Sequence, residues 1–145
     1  MFPRWHILYG ALFSLLLKLV APGVPFLHFL LVFLASVLID LDHYLACVHK
    51  TKKWSLLHAF DYHRLQAASM RSQERRGLKP KSDFHLFHTL EFQALIGLLG
   101  IFWLGFFYLF IGMVFHSLLD VIDGVRNKTL HRREYFFFTW LRKRM

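Results

Sequence analysis

The chain reads as an all-α, polytopic membrane protein: four transmembrane helices forming two hairpins, with both termini cytoplasmic. Three observations predict this. The composition is 56% hydrophobic and 18% aromatic over 145 residues, with 17 phenylalanines. A chain this small leaves much of its surface exposed when it folds, so water is a poor solvent for it and a bilayer a good one. The apolar residues fall in long runs separated by short breaks, and the basic residues gather in the segments that would flank one membrane face.

The first run, Ile7 to Val20, is extended by Trp5 and His6. A span needs about 20 residues, and Lys18 reaches that length by snorkelling toward the interface. Read as a signal sequence, the run would end in Ala21-Pro22-Gly23, a poor cleavage site, so a retained span is expected. Pro22, Gly23 and Pro25 then break the helix. Phe26 to about Cys47 is long enough to cross back.

Residues 48–82 read as a basic polar loop, its stretch from Met70 to Lys81 almost devoid of apolar residues. Ser82 or Asp83 is the expected N-cap of the next helix. Leu90 to Ile122 would be about 50 Å long as one helix, against a hydrocarbon core of about 30 Å. Two shorter helices broken between Gly100 and Gly105 are expected instead, which keeps every basic segment on the cytoplasmic side. Residues 1–123 thus form a four-helix membrane domain. Residues 124–145 form an interfacial tail that alternates basic residues with Tyr135, Phe136, Phe137, Phe138 and Trp140.

A net charge of +9 raises the question of nucleic acid. The basic blocks border apolar spans, so the partner they fit is an anionic lipid surface in the cytoplasmic (inner) membrane. The single Cys47 excludes an internal disulfide and a cysteine-based zinc site.

With both ends cytoplasmic, every helix delivers histidine or carboxylate to the same face. His6 opens the first; Asp40, Asp42 and His43 lie toward the exit of the second; His85, His88 and Glu91 open the third; His116, Asp120 and Asp123 close the fourth. His116 and Asp120, four apart, lie on one helix face, and the pairs Asp40/His43, His85/His88 and His88/Glu91 are three apart. On a continuous helix Asp42 points about 200° away from Asp40, so the two are not both expected to be direct metal ligands. Imidazole with carboxylate suits zinc, iron or manganese, and facing helices of a bundle present such groups inward. His28, His49 and His131 are expected to be interfacial. His58, Asp61 and His63 read as loop residues, and Asp123 before Gly124 as a helix-ending element.

These motifs, His6, "IDLDH" at the end of a second span, "HLFHTLEF" opening a third and "GMVFHSLLD" in a fourth, resemble the YdjM-type inner-membrane proteins, a family described as metal-dependent hydrolases. The family's elements appear in this order, and the resemblance covers the chain up to about Asp123. It maps onto His6, Asp40, Asp42, His43, His88, His116 and Asp120. Leu38-Ile39 stands where the family has proline before the first aspartate. His85 precedes His88 by three residues rather than five, so these two compete for the third-helix position. The family's distant similarity to zinc-dependent phospholipase C and P1-type nucleases implies phosphoester hydrolysis, by analogy of fold.

The expected activity is therefore a membrane-bound metal-dependent hydrolase acting on a phosphoester or lipid-like substrate. One or two divalent ions, zinc before manganese or iron, would be held by His43, His88, His116 and Asp120. Asp40, His6 and His85 are further ligands, and Glu91 or Asp42 is the general base or a residue that orients ligands. A metal- or proton-handling transporter would need polar groups continuing to the far face, where the sequence offers little beyond Ser14, Lys18 and His28. Paired haem ligands would not need the carboxylates. A non-catalytic membrane adaptor accounts for the basic segments and leaves the acidic residues unexplained.

Overall fold

A computed structural model of the chain describes residues 3–145, and every regular element among them is helical. The helices are α1 (Pro3–Val20), α2 (Phe26–Leu38), α3 (Leu41–Thr51), α4 (Leu56–Arg75), α5 (Leu90–Leu99), α6 (Leu104–Arg126) and α7 (Phe137–Arg142), with single 3-10 turns at Leu86–His88 and Leu130–Arg132. α2 packs on both α1 and α6, and α6 also packs on α5 and touches α1.

The close approach of α2 and α6 depends on Gly112. A Cβ there would sit on the Val32 carbonyl oxygen and 2.9 Å from the Ala35 Cβ. Further along the pair, Ala35, Ile39 and Met113 form a small apolar core, against which Phe87, Phe92, Ile96 and Leu109 pack. α1 is joined to α6 by the stacked rings of Phe13 and Phe115, whose centroids are 4.0 Å apart.

Among the described residues, two helices are long and apolar enough to cross a membrane: α6, and the run Phe26–Thr51 that joins α2 to α3, each with mean hydropathy 1.8. Only 33% of the apolar stretch of Phe26–Thr51 and 22% of that of α6 is buried within the protein. A core helix of a water-soluble domain would be mostly covered. Here Leu16, Leu19, Phe26, Leu98, Ile101 and Phe102 stand exposed.

Three expectations are corrected. Residues 48–82 are not a loop throughout, because α4 occupies most of them. Ser55 caps it by accepting from the His58 amide, and Asp61 and Arg64 pair at 2.9 Å one turn apart. Its mixed surface carries no apolar stripe, so pattern alone did not reveal it. The N-cap of α5 is Thr89, which accepts from the Phe92 amide, and not Ser82 or Asp83. Finally, α6 continues past Asp123-Gly124 to Arg126. The expected break between Gly100 and Gly105 is present, α5 ending at Leu99 and α6 beginning at Leu104.

The segment between α4 and α5 is fastened to the tail and to α3. The Ser82 amide donates to the Arg132 carbonyl at 2.7 Å, and the Leu90 amide to that of Tyr135 at 3.0 Å. Asp83 accepts from Lys50 of α3 and, at 2.8 Å, from Tyr62 of α4. Burial pushes the Asp83 carboxyl up, but these two donors outweigh it and hold it below its ordinary range. Arg132 grips Glu74, at the end of α4, through two bonds of 2.7 and 2.5 Å.

Candidate metal centre

The turn at Ile39-Asp40 is the local feature that builds the site. Both residues keep near-helical angles, but the Asp42 and His43 amides bond three residues back, to Ile39 and Asp40. This tighter turn separates α2 from α3 and leaves the Asp40 carboxylate facing α6 and the His88 turn, with three imidazoles around one of its oxygens. Asp40 Oδ1 lies 3.5 Å from His43 Nε2, 3.6 Å from His88 Nε2 and 3.5 Å from His116 Nε2.

α6 supplies the opposite side. Asp120 Oδ2 lies 3.3 Å from His116 Nε2 and 3.7 Å from His88 Nε2. The two Nε2 atoms of His88 and His116 are 3.2 Å apart. Asp40 Oδ1, Asp120 Oδ2 and these two nitrogens are thus separated by 3.2–3.7 Å along five of the six edges of a tetrahedron. Ligands at 2.0–2.2 Å from a tetrahedral zinc would be separated by about 3.3–3.6 Å.

The tautomers agree with that geometry. His116 Nδ1 lies 2.8 Å from the Ser36 carbonyl, which can only accept, so Nδ1 carries a proton and, in the neutral ring, Nε2 carries the lone pair. His88 Nδ1 lies 3.1 Å from Asp42 Oδ2, which fixes the same tautomer. Two lone pairs facing each other at 3.2 Å repel unless a cation or a proton lies between them. Asp42 thus holds the Nδ1 side of His88, and it also accepts from the Phe87 amide at 2.9 Å.

His6 reaches the cluster from α1. Its ring stacks on that of His116 with centroids 3.9 Å apart, and its Nε2 is 3.3 Å from Asp120 Oδ1. His6, His88 and His116 are almost wholly buried, whereas the side chains of Asp40 and His43 are 26% and 29% exposed. The mouth of the site is therefore on the Asp40 side. Arg133, from the tail, donates to Asp120 Oδ2 at 2.7 Å.

His85 does not compete with His88 for the same place. It lies against His43, ring centroids 3.7 Å apart, and with Asp42 and His43 forms a neighbouring group. Burial pushes its imidazole down to about 4, so it is neutral near pH 7.

Glu91 is a correction: it is not in the cluster. Its carboxylate accepts from the Phe137 and Phe138 amides at 2.9 and 3.4 Å and so ties α5 to α7. The wheel places Glu91 three residues from His88, but His88 precedes the helix in a 3-10 turn, so helical spacing does not apply. His58 and Asp61 lie on α4, and His63 contacts the His43 carbonyl at 2.9 Å. His28 packs on Tyr108, and His131 lies 3.0 Å from Glu74.

The residues that sequence reasoning missed are Ser36 and Arg133. Ser36 acts through its backbone carbonyl, which no residue type reveals. Arg133 is hidden among the other basic residues of the tail. The buried groups His6/Asp40/His116, Asp40/His43/His88 and His88/His116/Asp120 each bring ligand atoms within 4.8 Å of one another and could hold a metal ion. Compared with protein-family models, with curated proteins and with solved structures, the chain matches none of them.

Proposed function

We propose that this chain is a membrane-bound metal-dependent hydrolase of the cytoplasmic membrane, acting on a phosphoester or lipid-like ester. In this reading α1, α2 with α3, α5 and α6 form two membrane hairpins with both termini cytoplasmic. The exposed apolar surface of the helices supports it, as does the position of the basic segments beside the His/Asp end. The order of motifs that resembles the YdjM-type proteins points the same way.

The observation that carries the proposal is the pair His88 and His116. Each has its Nδ1 committed to an acceptor, and their Nε2 atoms face each other beside two carboxylate oxygens. His88, His116, Asp40 and Asp120 are the ligands assigned to one divalent ion, with zinc preferred from donor type and spacing. Such an ion lowers the pKa of a coordinated water and polarises a phosphoryl or carbonyl oxygen.

The chain's own residues supply the rest. Asp42 and the Ser36 carbonyl orient the two imidazoles through their Nδ1 atoms, and the dense packing of α2 on α6 at Gly112 brings the Ser36 carbonyl to His116. Asp40, on the exposed side, borders the path by which a substrate oxygen enters. Arg133 is the cation adjoining Asp120 and is placed to receive an anionic ester oxygen. A lipid headgroup suits a site at the end of apolar helices, with Trp54, Leu57 and Phe60 exposed nearby in the chain for contact with the bilayer surface.

The test is metal analysis of the detergent-purified full chain beside the His116→Ala/Asp120→Ala double variant. Wild type should hold stoichiometric zinc and the double variant should lose this ion. Wild type devoid of metal, or a double variant with unchanged metal, rejects the reading. A panel of phosphoesters and phospholipids then tests turnover, which should disappear in the double variant.

A further inference from the structure

Beside the four-ligand cluster, the same turn of the fold buries polar atoms that this cluster does not use. Asp42 directs Oδ2 to His88 and Phe87, while its Oδ1 is buried without a hydrogen-bond partner among the described residues. His85 is 3% exposed, and neither of its ring nitrogens has a hydrogen-bond partner among those residues. Leaving such groups unpaired is costly, more so where the group is charged. His43 completes the group, and ligand atoms of Asp42, His43 and His85 lie within 4.8 Å of one another.

We propose that Asp42, His43 and His85 form a second divalent-cation site, distinct from the His88/His116 centre and adjoining it. The donor set is one carboxylate and two imidazoles, which suits zinc, manganese or iron(II). Three protein ligands leave coordination positions open, so the site accepts water or a substrate oxygen. Each ligand is held independently of any ion. Asp42 is fixed by the Phe87 amide. His43 is steadied by Asp40, 3.5 Å away, and by the edge of the His63 ring. His85 is held in the segment that Asp83 fastens to Lys50 and Tyr62.

Two contacts join the sites. Asp42 faces one with Oδ1 and supports the other through His88, and His43 stands beside Asp40 as well as His85. An ion at each would place two divalent cations beside Asp40, and together they would supply charge stabilisation to a phosphoester's oxygens. The second site does not require the first to be filled, and it does not require hydrolysis.

The experiment is zinc titration of the metal-stripped, detergent-purified full chain, with bound metal counted by mass spectrometry of the protein fraction. Wild type should bind two ions. His85→Phe, which keeps a ring of similar bulk but removes both nitrogens, should bind one, and His85→Gln should do the same. The His116→Ala/Asp120→Ala variant should retain the other ion, and cobalt substitution should give wild type two separable sets of d–d bands, of which His85→Phe loses one. Thermal unfolding followed by circular dichroism shows whether each variant is folded. One ion in wild type that His85→Phe leaves in place overturns the second site while the His88/His116 reading stands. Two ions that both survive His85→Phe in folded protein also overturn it. No bound zinc in wild type overturns both.

Discussion

Asp42 holds His88 through a hydrogen bond of 3.1 Å from the imidazole Nδ1, across a separation of 46 residues. This contact sets the direction of the Nε2 lone pair that faces His116. The carboxylate is buried, and it also accepts from the Phe87 amide in the turn that carries His88. Asp42→Asn should therefore weaken zinc at the His88/His116 centre by about 10–100-fold, the usual effect of losing such a support, with all four assigned ligands still present. Competition titration against a chromophoric chelator measures it. Unchanged affinity would show that Asp42 does not orient His88.

Asp83 couples the His85–His88 segment to α3 and α4 through Lys50 and Tyr62. Asp83→Asn should lower stability by about 1–2 kcal/mol, since its carboxylate is buried but Lys50 is half-exposed and its ion pair is screened by solvent. The sign with pH follows from the lowered Asp83 pKa. Its contribution is complete above the ordinary carboxylate range and is lost as pH falls through the folded-state value. Thermal melts of wild type and variant should converge as pH is lowered and stay apart at neutral pH.

Gly112 permits α2 and α6 to approach at the level of Val32 and Ala35, one turn before His116. Gly112→Ala should cost about 1–3 kcal/mol through overpacking, and Gly112→Leu should abolish both the fold and zinc binding. Gly23 is the control, because a methyl group added at its Cα would meet nothing within 4 Å. Gly23→Ala should leave the melting temperature unchanged. Equal melting temperatures for Gly112→Ala and Gly23→Ala would show that the helices do not meet at Gly112.

The proposed two-hairpin membrane topology has a direct readout. Cys47 is the single cysteine and is fully buried, so the native chain should resist a membrane-impermeant thiol reagent. In a Cys47→Ala background, Gly23→Cys and Phe102→Cys should be labelled from outside intact cells. Lys79→Cys and Arg144→Cys should be labelled only after the membrane is opened. Labelling of Phe102→Cys and Arg144→Cys from the same side would exclude the second hairpin.

Much of the architecture was legible because long apolar helices are written in composition. Apolar runs, the break near Gly100–Gly105 and the histidines and carboxylates near helix ends follow from residue type and spacing. α4 was not legible, because its stability comes from a Ser55 cap and polar contacts rather than from an apolar stripe. Glu91 is a related case, because helical spacing from His88 does not hold across the 3-10 turn before α5 and the Glu91 carboxylate reaches α7 instead.

The sequence by itself determined an all-helical, strongly apolar chain and a set of imidazole and carboxylate donors near helix ends. Among the described residues, the structure has two helices long and apolar enough to cross a membrane, where the sequence reading expects four. Tertiary structure decided which of those donors meet. His6, Asp40, His88, His116 and Asp120 converge from α1, the α2–α3 turn, the turn before α5, and α6. The close packing of α2 on α6 at Gly112 brings the Ser36 carbonyl onto His116. The tight turn at Ile39-Asp40 then separates the directions of Asp40 and Asp42. Residue type fixes what an atom can bind, but only packing between helices distant in sequence fixes the few ångströms that separate a cluster of ligands from a scatter of polar residues.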